Sequence, residues 1–387
     1  MKTTWVAGAA AASLGLAAVS SAHAEDAPAA APAPTPQATP SMTPPLSANA
    51  DATSFDTGIG KIYVTGQLTV LGMSQTNAIA GDRKSRFDAS NAQFEIQKSD
   101  GVFQFYVQAG VYSLPSLGTS YVKAAQLPDL TYHYVPTAFI KIQPNAAFNV
   151  QAGILPTLIG AEYTFTFQNM NVARGLLWNQ EPAISRGVQA NITEGPWAVS
   201  LAVTDGYYSN RFTTGSTLIT YTVGKLDTVA FAGSAQFQKS SKSTFATPTP
   251  QNNGDIFNLI WTHTEGAWEV MPYLQYSRTP KSTKAGLPAS GSTFGAAVLA
   301  KYSFTPMFSL AGRAEYITSS GAESLLYGPK SNAMSLTLTP TWQFKTFFIR
   351  GEGSYTKLDK AAPGAAFGAT GNKDSQMRAM IETGFLF

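Results

Sequence analysis

The sequence contains no cysteine, only three histidines and few charges. The missing cysteines exclude a disulfide scaffold. Charged residues make up 13% of the chain, against about 25% in ordinary soluble domains. The formal net charge is +3, and no basic stripe points to a nucleic-acid partner. After residue 24 no apolar run reaches the roughly 20 residues of a membrane-spanning helix. There is no Gly-x-Ser-x-Gly, no metal-spaced histidine pair and no phosphate loop. The reading is therefore of a chain that is not an enzyme, with no catalytic, cofactor-binding or metal site.

The beginning of the chain supplies an address. Lys2 precedes an apolar run from Trp5 to Val19, and Ala22-His23-Ala24 has the small-x-small pattern of a signal-peptidase site. Residues 1–24 are predicted to be a signal peptide cleaved after Ala24, which leaves His133 and His263 as the histidines of the mature chain. Residues 25–56 are rich in Ala and Pro, a composition that cannot build a core and favours extended conformations. They are expected to form a disordered periplasmic linker.

From residue 57 to residue 387 the pattern has a period of two, the signature of strands. In the last segment Met377, Ala379, Ile381, Thr383, Phe385 and Phe387 share one face, and Arg378, Met380, Glu382, Gly384 and Leu386 the other. About sixteen such segments follow one another. Short turns such as Ser99-Asp100-Gly101 and Glu194-Gly195-Pro196 alternate with long polar loops, of which 156–182 is the longest. Short turns at one end and long loops at the other are the habit of Gram-negative outer-membrane barrels. The expected fold is all-β: a transmembrane antiparallel barrel of about 16 strands in the cell outer membrane.

A soluble sandwich would bury the apolar face inside, whereas a barrel turns it to lipid. The aromatic residues decide. Phe103, Phe148, Trp197, Trp261, Trp268, Phe308, Trp342, Phe347 and Phe387 fall on the apolar phase near the short turns, and Tyr276, Phe294, Tyr316 and Tyr355 near the loops. Two bands of rings at strand ends mark two membrane interfaces. The other phase carries Lys141, Lys301, Arg313, Arg350 and Arg378 beside Glu95, Glu269, Glu315, Glu352 and Glu382, which face the lumen if the rings face lipid. Arg313/Glu315, Arg350/Glu352 and Arg378/Glu382 are read as an ion-pair ladder bracing the wall or as a transverse field. Arg186 falls on the lipid phase, at a place where it can snorkel or where the register slips.

The stretch "GILPTLIGAEYTFTFQNMNVARGLLWNQEPAISRGVQ" resembles the central signature of the OmpL-like beta-barrel porin family through Gly153, Gly160, Glu162, Asn169, Asn171, Arg174, Leu176 and Leu177. The resemblance implies a passive porin: a water-filled channel for diffusion of small hydrophilic solutes. By analogy with general trimeric porins, 156–182 is expected to fold into the lumen as a constriction loop bearing Glu162, Arg174 and Glu181, and the chain to form homotrimers. Its alternative place is outside, closing the mouth or contacting a neighbour. The terminal Phe387, with Phe385, looks like the signal that barrel-assembly machinery reads. The competing reading is a structural or adhesive barrel with a plugged lumen.

Overall fold

The structure, a computed structural model, describes residues 46–387. The predicted signal peptide and most of the predicted linker lie outside the described residues. The strands are β1 (Thr53–Thr57), β2 (Gly60–Gln75), β3 (Ser85–Lys98), β4 (Phe103–Tyr112), β5 (Thr137–Ile142), β6 (Phe148–Pro156), β7 (Ile184–Glu194), β8 (Trp197–Thr204) and β9 (Thr214–Val223). They continue as β10 (Asp227–Gln236), β11 (Asp255–Glu265), β12 (Trp268–Thr279), β13 (Gly291–Ser303), β14 (Phe308–Gly321), β15 (Asn332–Phe344), β16 (Phe347–Asp359) and β17 (Ser375–Leu386). From β2 onward each strand pairs antiparallel with the next, and β17 returns to β2 in the register Arg378↔Gln75 to Leu386↔Gln67. Setting β1 aside from the 17-stranded sheet leaves a closed barrel of sixteen strands. Closure pairs every edge, which backbone in hydrocarbon requires.

The two faces separate as the alternation predicts. In β17 Met377, Ile381 and Phe385 are exposed, while Arg378, Met380 and Glu382 are buried within. The tryptophans near the short turns stand on the outer face: Trp197, Trp261, Trp268 and Trp342 are all exposed. Trp268 packs on Tyr302, and Phe347 on Phe385, with ring centroids 4.7 and 5.2 Å apart. The short turns need left-handed residues. Gly195, Gly224 and Gly266 supply them with φ of 55°, 66° and 57°, and Lys345 does so at 53°.

The linker boundary moves. The end of the segment expected to be disordered runs into a strand, Thr53–Thr57, which pairs with the start of β2 from Thr53↔Val64 to Thr57↔Gly60. It takes the β2 edge where β17 runs out. Just before it, Leu46 is buried with Phe348 and Leu386, and the Ser47 backbone exchanges hydrogen bonds with the Gln343 amide. Composition hid this, because a strand that is exposed throughout carries no hydrophobic pattern.

The seam ends on Phe387. Its backbone N–H donates to the Gly66 carbonyl (2.9 Å) and its carbonyl accepts from Gly66 N–H (2.7 Å). A Cβ at Gly66 would lie 2.7 Å from the Phe387 ring and 2.8 Å from the Gln93 carbonyl. Gly66→Val is therefore expected to splay the seam at a cost of about 1–3 kcal/mol, the usual scale of overpacking. Urea titration of the refolded barrel measures it, and an unchanged midpoint would refute this account of the seam.

Candidate functional site in the barrel lumen

The loop between β6 and β7, residues 157–183, lies inside the barrel. It is held there by backbone groups bonded to inward-facing side chains. Glu352 accepts from Val172 N–H (2.5 Å) and Ala173 N–H (3.1 Å). Glu315 accepts from Leu176 and Leu177 N–H (3.1 and 3.2 Å). Arg350 donates to the Thr166 and Asn169 carbonyls (2.6 and 2.9 Å), and Arg313 to the Ala173 carbonyl (2.8 Å). A segment without regular structure must satisfy its backbone somehow. Here the charged wall does it.

Local sequence makes the path possible. Asn169 staples the segment to itself, accepting from Tyr163 N–H (2.7 Å) and donating to the Phe165 carbonyl (2.7 Å). A Cβ at Gly160 would strike the Glu181 carboxylate, and one at Gly175 the Glu315 carboxylate. Gly175 N–H instead donates to Glu162 (2.8 Å). The two glycines mark the closest approaches of backbone to acid.

The predicted lumen charges all face inward, but their pairing differs from the expected ladder. Arg313 contacts both Glu162 (2.5 Å) and Glu315 (3.2 Å). Arg350 pairs with Glu382 (2.5 Å) rather than Glu352. These two residues lie directly opposite each other on β16 and β17, and opposite residues on adjacent strands are closer than i, i+2 on one strand. Arg378 makes no ion pair among the described residues. It donates to the Ser116 and Thr119 carbonyls of another loop (2.8 and 3.0 Å). Lys301 pairs with Glu269 (3.1 Å). Lys141 and Glu181 have no ion-pair partner among the described residues. Arg186, on the outer phase, is paired with the buried Asp205 (2.8 Å) and stacked on Tyr208, so neither snorkelling nor slippage is needed.

Sequence reasoning missed an apolar patch on the inner wall. Leu71, Met73, Met271, Tyr273, Leu299 and Ile317 point inward and cluster with Met170, Val172, Leu176 and Leu177 of the inserted segment. Gly295 makes room for Leu177, whose Cγ would lie 2.9 Å from a Cβ there. The wall residues of the cluster are the seat of the loop, and inward apolar residues opposite a long loop are the signal that marks it.

The inner wall across from that seat carries Lys141 and, beside Gln93 on β3, the buried Glu95. It is lined by amides: Gln108 bonds Gln93 (2.9 Å), Gln189 bonds Asn191 (2.7 Å), and Asn191 bonds Asn149 (2.7 Å). At the outer mouth Asp82 ties two loops together. Burial raises its pKa, but hydrogen bonds from Arg86, Gln75, Arg83 N–H and Tyr121 N–H outweigh burial and hold it below the ordinary value.

The family described as "Putative beta-barrel porin-2, OmpL-like" matches residues 61–387. No curated protein matches the sequence. Among solved structures the chain is similar to in-vitro folded OmpT, an outer membrane protein of Vibrio cholerae, with 12% identity over 87% of this chain and 100% of that one (TM-score 0.58). It is also similar to an anion-selective porin from Comamonas acidovorans, with 11% identity over 84% and 99% (TM-score 0.58). The outer membrane channel DcaP of Acinetobacter baumannii gives 9% over 87% and 100% (TM-score 0.58). At these identities the likeness is one of fold.

Proposed function

The chain belongs to the OmpL-like beta-barrel porin-2 family, and from that premise we propose that it is a passive porin with residues 157–183 as its constriction. Small hydrophilic solutes diffuse between the inserted segment and the amide-lined wall of β4–β8. The observation that carries the reading is the clamp: four wall residues (Arg313, Glu315, Arg350 and Glu352) bond the backbone of one loop across the lumen. Such a loop narrows a channel of sixteen strands, a number that leaves an aqueous lumen.

The mature chain, cleaved after Ala24, reaches the outer membrane of a Gram-negative cell. Barrel-assembly machinery reads the terminal strand ending in Phe387, and three copies associate. Glu162, Arg174 and Glu181 are the charges of the constriction. His263 is held by Asp227 at the turn end of its strand (2.9 Å), and His133 lies in the loop after β4.

One observation favours the second reading, a structural barrel with a closed lumen: much of the inner face is buried. Planar-bilayer recording separates the two. A porin gives stepwise conductance at every insertion of the mature chain. A plugged barrel inserts and stays silent, and that result would overturn the diffusion reading.

A further inference from the structure

Four acids around the inserted segment are already engaged, while Glu181 is buried with neither carboxylate oxygen bonded among the described residues. Glu162 holds Arg313 and Gly175 N–H. Glu382 holds Arg350 and the Thr166 hydroxyl. Glu352 takes two loop amides and the Thr339 hydroxyl. Glu315 takes two more amides and the Ser335 hydroxyl. Arg174 stands among them at 0% exposure, and none of Nε, Nη1 and Nη2 has a hydrogen-bond partner among the described residues. Its backbone is fixed: its N–H donates to the Pro115 carbonyl (3.0 Å) and its carbonyl accepts from Leu117 N–H (2.9 Å). These bonds pin the backbone at Arg174 to the loop after β4. The guanidinium lies over the Trp178 ring, 4.9 Å from its centroid, and the Trp178 indole N–H is likewise buried without an acceptor.

A buried guanidinium cannot lose its proton to escape the cost of an unpaired charge. Here it sits beside a second orphan donor, and neither donates to any acceptor among the described residues. We propose that Arg174 and Trp178 form a binding station for a small carboxylate in the channel. The guanidinium fork matches the two oxygens of a planar carboxylate, and the indole N–H offers a further donor to the same group. The inference deepens the diffusion reading and rests on it, since the anion must reach the station through the lumen. It names organic monocarboxylates as the solute class that the constriction retains during passage.

The site can be tested without conductance. Acetate is added to the detergent-solubilised mature chain, and saturation transfer to its methyl protons is followed by NMR. Wild type and the exposed-loop variant Lys281→Gln are expected to saturate alike. Arg174→Gln is expected to weaken acetate about tenfold or more, the loss of one charge-assisted fork. Arg174→Lys keeps charge without the fork and is expected to fall between them. All variants are checked for the heat-dependent gel shift of a folded barrel, and if Arg174→Gln does not fold, the lysine variant decides. Equal affinity in wild type and in the folded Arg174 variants would overturn the station. Displacement of acetate by chloride as effectively as by propionate would overturn the carboxylate assignment. Bilayer recording in acetate is the separate arm: a silent channel sinks the diffusion reading, while the NMR titration still reads the site.

Discussion

Arg350→Met is expected to cost about 3–5 kcal/mol, the scale for removing one partner of a buried ion pair. Arg350 is almost fully buried. Its Nε and Nη2 reach Glu382 at 2.8 and 2.5 Å, and Nη1 and Nη2 hold the carbonyls of Asn169 and Thr166. With Arg350 gone, Glu382 keeps only the hydroxyls of Thr166 (2.6 Å) and Ser90 (3.3 Å), and two loop carbonyls lose their donor. The charge left behind dominates the penalty, so the double variant Arg350→Met/Glu382→Met is expected to be milder than the single one. Replacing both members of a buried pair by apolar groups is often near neutral. Urea midpoints of the single and double variants form the test. A single variant no worse than the double would mean that the pair is not the buried clamp described here. The single variant is also expected to conduct more noisily, because the loop loses one of its anchors.

Leu338→Arg is expected to block assembly or to cost about 2–4 kcal/mol, the penalty for arginine on the lipid face near the bilayer midplane. Leu338 is about half exposed, near the middle of β15, and faces away from the lumen. Its neighbours on the same phase, Leu336 and Met334, are exposed as well. Leu338→Phe keeps the apolar character and is expected to refold like the parent. Refolding yield into lipid vesicles, read by the gel shift, compares them. Equal yields for the arginine and phenylalanine variants would remove lipid from that face.

The wall was legible in the sequence because a strand between lipid and water must alternate, and each ring or charge then declares its side. Phe385 and Arg378, seven residues apart on β17, fall on opposite faces as read. What alternation cannot supply is register. Arg350 was matched to Glu352 on its own strand, whereas the partner, Glu382, sits across the ladder, a distance set by turns and closure rather than by spacing along the chain. Strand β1 escaped for a different reason: it buries no apolar face. The analogy with trimeric porins places the loop 156–182 in the lumen. Its attachment, acids binding backbone N–H groups beside an apolar seat, has no local sequence signal, because the loop carries one half of each contact and the wall carries the other.

The most direct test compares single-channel conductance of the mature chain with that of a variant in which residues 163–180 are replaced by a short Gly/Ser linker. If the inserted loop narrows a water-filled barrel, both conduct in steps and the shortened chain conducts several-fold more. Equal step sizes from the two chains would contradict the account.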